Sequence, residues 1–238
     1  ALTLSASGVD TQLGDRAAFP RNKPCGGGLS ARALRRFPWL EAAVDGIDVH
    51  RIQRLHLEGP QQSRLEIADA ETCVVLVRRV EFDAALVRQA AGAGARVTSG
   101  FEITQAEQTP DAVTLQSRDG RRLRARLVIA ADGVHSVIAK RLGVNARWPR
   151  RSLAIDMMEE TPVETLRAAR PDVLWVAYAH DGLDGYAYVF PKVRHVNVGI
   201  GCVLSHFDEV IDEAPYTLQQ RVVSSLVSRG VLDGASDR

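Results

Sequence analysis

Phe19-Pro20-Arg21-Asn22-Lys23-Pro24-Cys25-Gly26-Gly27-Gly28-Leu29-Ser30 decides how the rest of the chain is read. Three successive glycines before a helical pattern leave no Cβ where a planar group or a phosphate has to lie against the backbone. A plain flexible turn would use the same residues, because glycine reaches turn conformations at no steric cost. Upstream, Ala1 to Ala6 reads as the end of a helix, Ser7-Gly8 as its stop, and Val9 to Leu13 as a short strand. Asp15 follows that strand, with Arg16 beside it, where a nucleotide-binding βαβ unit sets an acidic residue for a ribose.

Downstream of the glycines, Leu29 to Phe37 predicts a helix, and Val49 to Leu57 a strand with Leu55 and Leu57 on one face. Arg64 to Ile67 and Cys73 to Val77 predict two more short strands. Phe82, Leu86 and Ala90 make a helical stripe that Gly92-Ala93-Gly94 ends before a strand near Arg96 and Val97. Phe101 to Ala106, Val113 to Ser117 and Leu123 to Ala130 predict a meander that turns at Asp119-Gly120 and leads directly into Ala131-Asp132-Gly133. Beyond it the pattern changes to antiparallel candidates at Leu153 to Met157, Val173 to Tyr178, Tyr186 to Phe190 and Val196 to Val203, then a helix over Gln219 to Ser228 and a featureless tail from Val231. This divides the chain into residues 1–145 and 146–238.

With 30 basic and 29 acidic residues the chain has no overall field to gather nucleic acid, so a partner is expected in a pocket. The scattered Cys25, Cys73 and Cys202 form neither a metal signature nor a disulfide framework, which fits a reducing cytoplasm. No run of about 18 apolar residues would cross a bilayer, which leaves peripheral membrane contact open. The six histidines have no HExxH or other metal spacing, and no GxSxG or phosphate-loop pattern occurs. Glu159-Glu160 is expected in a solvated loop. All but Lys23, Lys140 and Lys192 of the 30 basic residues are arginine, and each of those lysines falls in or beside a motif.

Three further stretches stand out. In Val128-Ile129-Ala130-Ala131-Asp132-Gly133-Val134-His135-Ser136 an apolar strand would end at a tight Asp-Gly turn before a helix, with Asp132 free to accept from loop amides or a pyrophosphate-side network. Arg79-Val80-Glu81-Phe82-Asp83-Ala84-Ala85-Leu86 opens a helix with a cation, against the positive end of the helix dipole. Gly185-Tyr186-Ala187-Tyr188-Val189-Phe190-Pro191-Lys192 alternates so that Tyr186, Tyr188 and Phe190 share one strand face, either a core stripe or a cavity wall.

The loop at Lys23 to Gly28 resembles the KPCGGG-type motif of geranylgeranyl reductases and related flavoproteins. Asp132-Gly133 with Ser136 is similar to the ADGxxS motif of the wider reductase and hydroxylase class, and Arg79 to Leu86 to its RxxFDxxL segment. Gly185 to Lys192 with Asn197-Val198-Gly199-Ile200-Gly201 looks like the family's YxWxFP motif and the strand after it, although Tyr188 replaces the usual Trp and Leu183 a common Pro. The resemblance implies an α/β fold: an FAD/NAD(P)-binding Rossmann-like domain with a mixed or antiparallel substrate domain. Within it, Asp15, Arg16, Lys23, Cys25, Gly26, Gly27, Gly28, Arg79, Asp132 and Gly133 would bind FAD. Cys25, Tyr186 and Tyr188 would be catalytic, and Tyr186, Tyr188, Phe190 and Pro191 would line the substrate cavity.

The implied reaction is reduction of a C=C bond in a prenyl chain by hydride from reduced flavin, with NADPH or another donor behind it. A flavin monooxygenase acting on an aromatic ring is the nearest rival, and a non-catalytic fragment the rival of another class. The first strand with its GxGxxG turn and the later Gly-Asp segment do not occur in these 238 residues, so the Rossmann-like domain is expected to be incomplete and to hold FAD poorly.

Overall fold

The computed structural model describes every residue except Ala70, Ala146, Asp237 and Arg238, and every remaining side chain except those of Gln62, Asp181, Asp208 and Val210. It forms two compact units, one of Ala1–Arg21 with Leu86–Pro149 and one of Asn22–Ala85 with Arg150–Arg238. The contiguous halves 1–145 and 146–238 are therefore not the compact units. The chain opens with α1 (Leu2–Ala6) and β1 (Gln12–Gly14) of the first unit, then gives the second unit β2 (Gly28–Ser30), α2 (Ala31–Arg36), α3 (Trp39–Val44), β3 (Val49–Ile52), β4 (Arg54–Glu58), β5 (Arg64–Ala68) and β6 (Val74–Val77). After α4 (Arg79–Gly92) come β7 (Arg96–Thr98), β8 (Ile103–Gln108), β9 (Val113–Ser117), β10 (Arg122–Ala125) and α5 (Val137–Arg141). The second unit is completed by β11 (Ala154–Pro162), β12 (Leu166–Ala168), β13 (Val173–Tyr178), β14 (Gly185–Pro191), β15 (His195–Val203), α6 (Leu204–Val210), α7 (Pro215–Ser228) and β16 (Leu232–Gly234).

In the first unit β1 pairs in parallel with β7, and β8, β9 and β10 form the expected meander, with Gly120 at φ +86° in its turn. Phe101, Ala106, Val113, Leu115 and Ile138 make its core. The strand expected over Leu123 to Ala130 stops at Ala125. Leu127 and Ile129 are exposed, and no described strand pairs with their backbone, so the apolar run alone does not make a strand.

The second unit is built on a six-stranded mixed sheet in the order β11-β15-β14-β13-β4-β5, where β13 and β4 run parallel and the other neighbours antiparallel. That parallel pair draws residues 54–68 into this sheet and makes the unit discontinuous. One sheet face, with Met157, Trp175, Ala177, Ala187, Val189, Val196, Val198 and Ile200, packs on Leu218, Val222 and Leu226 of α7, a stripe at helical i, i+4 spacing. The strand expected over Val49 to Leu57 divides at Gln53 between two sheets, since β3 pairs with β6 in the three-stranded sheet β2-β6-β3. The helix expected from Leu29 begins only at Ala31, because Gly28–Ser30 pairs with β6 and Ser30 then caps α2 by accepting from the Ala33 amide at 3.2 Å. The tail expected to be featureless holds β16, paired with β12, and its last two residues lie outside the described ones. Glu159 and Glu160 lie in strand β11 and not in a solvated loop.

Candidate functional site

In the second unit the glycine run is shaped by the protein's own packing. Gly27 has φ +75°, and a Cβ on it would stand 2.1 Å from the Val77 carbonyl oxygen, while the Val77 amide donates to the Gly27 carbonyl at 3.0 Å. A Cβ on Gly26 would stand 2.7 Å from the Phe190 ring, and one on Gly28 would make ordinary contacts with Phe190 and Val74 at 3.5 and 3.6 Å. Cys25, half-buried, accepts from the Gly27 amide at 3.4 Å through its sulfur. Lys23 is exposed.

Arg79 holds the Asp83 carboxylate with two hydrogen bonds of 2.7 and 2.9 Å. Asp83 raises the guanidinium's pKa, burial opposes, and the nearby Cys25 sulfur adds to the rise. The cation at the helix start is thus offset by Asp83, one turn along.

The sheet face turned away from α7 carries a row of rings. Tyr178, Tyr186, Tyr188 and Phe190 follow one another at centroid separations of 6.3, 5.8 and 4.7 Å. Tyr178 and Tyr186 are exposed and Tyr188 is buried. Burial raises the pKa of both Tyr186 and Tyr188, with Asp156 and then Cys25 among the groups that add to it, so the three residues expected to be catalytic do lie together. Strand alternation separates Pro191 from them. It is buried on the α7 side with Ala187 and Val189, and His50 Nδ1 sits 2.8 Å from its carbonyl oxygen.

Three residues that sequence reasoning did not select complete this face. Asp156 of β11 accepts from the Tyr188 hydroxyl at 3.3 Å. Lys192, buried, ion-pairs with Glu160, which Arg78 also contacts at 3.2 Å. Burial pulls the Lys192 pKa down, and it pushes the Glu160 pKa up, but Lys192 and Arg78 outweigh it there and the carboxyl is held below its usual range. Glu159, on the opposite face, is buried and accepts from the hydroxyls of Thr161 at 3.1 Å and Ser236 at 2.8 Å. The traces in the sequence were slight: the scarcity of lysine, and two acidic residues four positions apart on one face of β11, Asp156 and Glu160.

In the first unit Asp15, just past β1, accepts from the Ala17 amide at 2.9 Å and lies 3.4 Å from Arg21. Arg16 is exposed. Asp132 accepts from the Ser136 hydroxyl and from the Val137 amide at 2.9 Å, while Ser136 caps α5 by accepting from the Ala139 amide at 3.0 Å. Gly133 has φ +85° and nothing within 4 Å of where its Cβ would be. Among the described residues no cluster of His, Cys, Asp or Glu could hold a metal ion.

These features match a known class. The FAD binding domain family matches residues 1–230, and the chain belongs to it. Protein FixC of Salmonella typhi is 29% identical over 180 residues, 70% of this chain and 42% of that protein. The menaquinone reductase of Mycobacterium tuberculosis H37Rv is 28% identical over 253 residues, 92% of this chain and 59% of that protein. The chain thus spans 42% to 59% of the length of these curated relatives. Among solved structures, a geranylgeranyl bacteriochlorophyll reductase-like protein from Thermoplasma acidophilum superposes with a TM-score of 0.78 at 20% identity, over 97% of this chain and 58% of that one. The halogenase PltM in complex with phloroglucinol and FAD does so with 0.70 at 13%, over 99% and 56%. The fold is the Rossmann-like FAD-binding fold with a mixed sheet, and FAD is its cofactor.

The residues present fit FAD. Asp15 stands at the C-terminal end of a parallel strand, where α/β sheets take nucleotides, with its carboxylate partly open to accept from ribose hydroxyls. The bare backbone at Gly133 leaves room that a Cβ would fill.

Proposed function

We propose that the protein is an FAD-dependent oxidoreductase that reduces a C=C bond of a prenyl chain. The observation that carries this reading is the row of rings with its apolar continuation across the sheet. In register, Tyr188 stands opposite Val176, Val176 opposite Leu57, and Leu57 opposite Leu65 at the sheet edge. In that row Leu65 is 55% exposed, Leu57 and Val176 are half-buried and Tyr188 is buried, while Tyr178 and Tyr186 beside it are 53% and 42% exposed. With neighbouring strands about 4.8 Å apart, the row from Tyr188 to Leu65 runs roughly 14 Å, long enough for an extended isoprenoid tail and needlessly long for one ring. A menaquinone reductase stands among the relatives, and menaquinone is a quinone with a prenyl tail.

FAD, when reduced by NADPH or another donor, supplies the hydride. The chain's own residues would bind the tail along the row, exclude water with Tyr186, Tyr188 and Phe190, and hold Cys25 beside them. Arg79 would hold Cys25 in position. Among the described residues no helix is long and apolar enough to cross a membrane.

The test uses FAD-loaded protein titrated with geranyl, farnesyl and geranylgeranyl diphosphates, followed by the flavin absorbance. Burial contributes about 0.8 kcal/mol per CH₂, so affinity should climb steeply with each five-carbon unit. Affinity that ignores tail length, with small phenols oxidised instead, would overturn this reading in favour of an aromatic monooxygenase.

A further inference from the structure

We propose that Asp156 is the proton donor of this site, held in place by the Tyr188 phenol; the inference rests on the reductase reading above. Sheet register puts Asp156 opposite Gly201 and Gly201 opposite Tyr186, all on the open face. Tyr188 stands opposite Gly199 in the same way. A Cβ on Gly199 would fall 2.2 Å from the Tyr188 hydroxyl, and one on Gly201 would stand 3.5 Å from Asp156 Oδ1. Strand β15 thus omits two side chains in succession on this face, and the Tyr188 ring lies across the gap to bring its hydroxyl 3.3 Å from one Asp156 oxygen and 3.5 Å from the other.

Among the described residues no cation pairs with Asp156. The titratable groups that face it are Tyr186 and Tyr188 of β14, with Cys25 behind them, while β15 offers only glycines. Further along β11, Glu160 is committed to Lys192 and Arg78. The residue is nevertheless exposed, so a molecule lying along the row of rings can reach it. Partial burial of the carboxyl against its neighbours raises its pKa, the Tyr188 hydrogen bond opposes, and the net displacement is upward.

The step balances. One alkene carbon takes up a hydride, supplied by reduced FAD, as the π bond breaks. The other takes the Asp156 proton, and the carboxylate left behind, stabilised by the Tyr188 O–H, regains a proton from water. Only protonated Asp156 serves, so turnover falls as pH rises through its pKa. Tyr188→Phe removes a hydrogen bond that favours the ionised form. It should move that falling limb to higher pH, which a merely structural role for Tyr188 would not do.

The experiment measures kcat against pH for FAD-loaded protein reduced with dithionite, with geranylgeranyl diphosphate as substrate. Asp156→Asn should lower kcat by about 100-fold or more and abolish the limb. Independently, NMR of the apoprotein with ¹³C-labelled aspartate should show one carboxyl titrating above the ordinary range. That titration should be lost in Asp156→Asn and move higher in Tyr188→Phe. An Asp156 titration at the ordinary value and indifferent to Tyr188→Phe, or an Asp156→Asn protein with unchanged kcat and limb, would overturn the proposal. Absence of prenyl reduction at every pH would count against the reductase reading, while the apoprotein titration separately upholds or overturns Asp156 as the site's acid.

Discussion

The Lys192 ammonium lies 3.2 Å from where a Cβ on Gly27 would stand, so the lysine from the end of the ring-bearing strand packs directly over the glycine loop. Its counter-charge is Glu160, and the two partners are not equivalent. Glu160 has a second cation in Arg78, whereas Lys192 is buried with Glu160 as its acceptor. Removing one partner of a buried pair costs about 3–5 kcal/mol when the other charge is stranded. Glu160→Gln should therefore destabilise toward that range and Lys192→Met much less, as read from urea unfolding midpoints. The Glu160 carboxyl is held below its usual range in the folded state. Its contribution is present above the unfolded pKa and lost as pH falls through the folded one, and Glu160→Gln should remove that part of the acid sensitivity.

The three glycines should differ in their tolerance of a methyl group. Gly27→Ala forces a left-handed φ on alanine and a Cβ 2.1 Å from a backbone oxygen, a contact that no rotamer change relieves. It should cost at least about 2 kcal/mol, whereas Gly28→Ala, meeting side chains at 3.5 Å or beyond, should be nearly neutral. Gly26→Ala falls between them, because the Phe190 ring it meets can move. Thermal melting of the three variants ranks them, and equal effects would mean that the loop is not packed as described.

Glu58, at the end of β4, gathers Arg229, the Trp175 indole N–H at 3.2 Å and His56 at 3.2 Å. Burial raises its pKa, but Arg229, Trp175 and His56 together outweigh it and the net shift is downward. Stability from this cluster is therefore complete above the usual carboxylate range and lost as pH falls through the lowered pKa. Glu58→Gln should cost about 1.5–3 kcal/mol at neutral pH, with the gap to the unsubstituted protein narrowing in acid. A gap constant down to acid denaturation would show that the charge of Glu58 contributes nothing.

Local pattern in the sequence was enough for most of the strands, for the helix before Ser228 and for the Tyr186-Tyr188-Phe190 face, because alternation and helical stripes are short-range. It could not disclose that β4 pairs in parallel with β13, since periodicity names no distant partner. That pairing, with the packing of the glycine loop against Phe190 and Lys192 and the Arg78–Glu160 contact, joins residues 22–85 to the second unit. The same gap hid Asp156 and Glu160, whose significance depends on Tyr188 and Lys192 arriving from β14 and its end. Arg79 has a partner that its motif reading did not weigh. Asp83, four residues on and within the quoted stretch, holds its guanidinium.

Cys25→Ser separates chemistry from packing in the glycine loop. The sulfur is half-buried, accepts from the Gly27 amide at 3.4 Å and meets the Arg79 guanidinium. A serine hydroxyl can accept from the same donors, and Arg79 remains fixed by its two bonds to Asp83, so little packing is lost. The expected cost in stability is under about 1 kcal/mol, as for substitutions that open no large cavity. What changes is the polarizable sulfur beside Tyr186 and Tyr188. If that sulfur shapes the site around bound FAD and prenyl chain, turnover should fall several-fold while the melting temperature stays nearly constant. Arg79→Lys supplies the complementary arm, because a single ammonium cannot reproduce the two-pronged contact with Asp83 and also meet the sulfur. Its turnover should fall in parallel with that of Cys25→Ser, and the double variant should lose little more than either alone. A drop of many degrees in Cys25→Ser with turnover per folded molecule unaltered would assign Cys25 to the core, and fully additive losses in the double variant would separate it from Arg79.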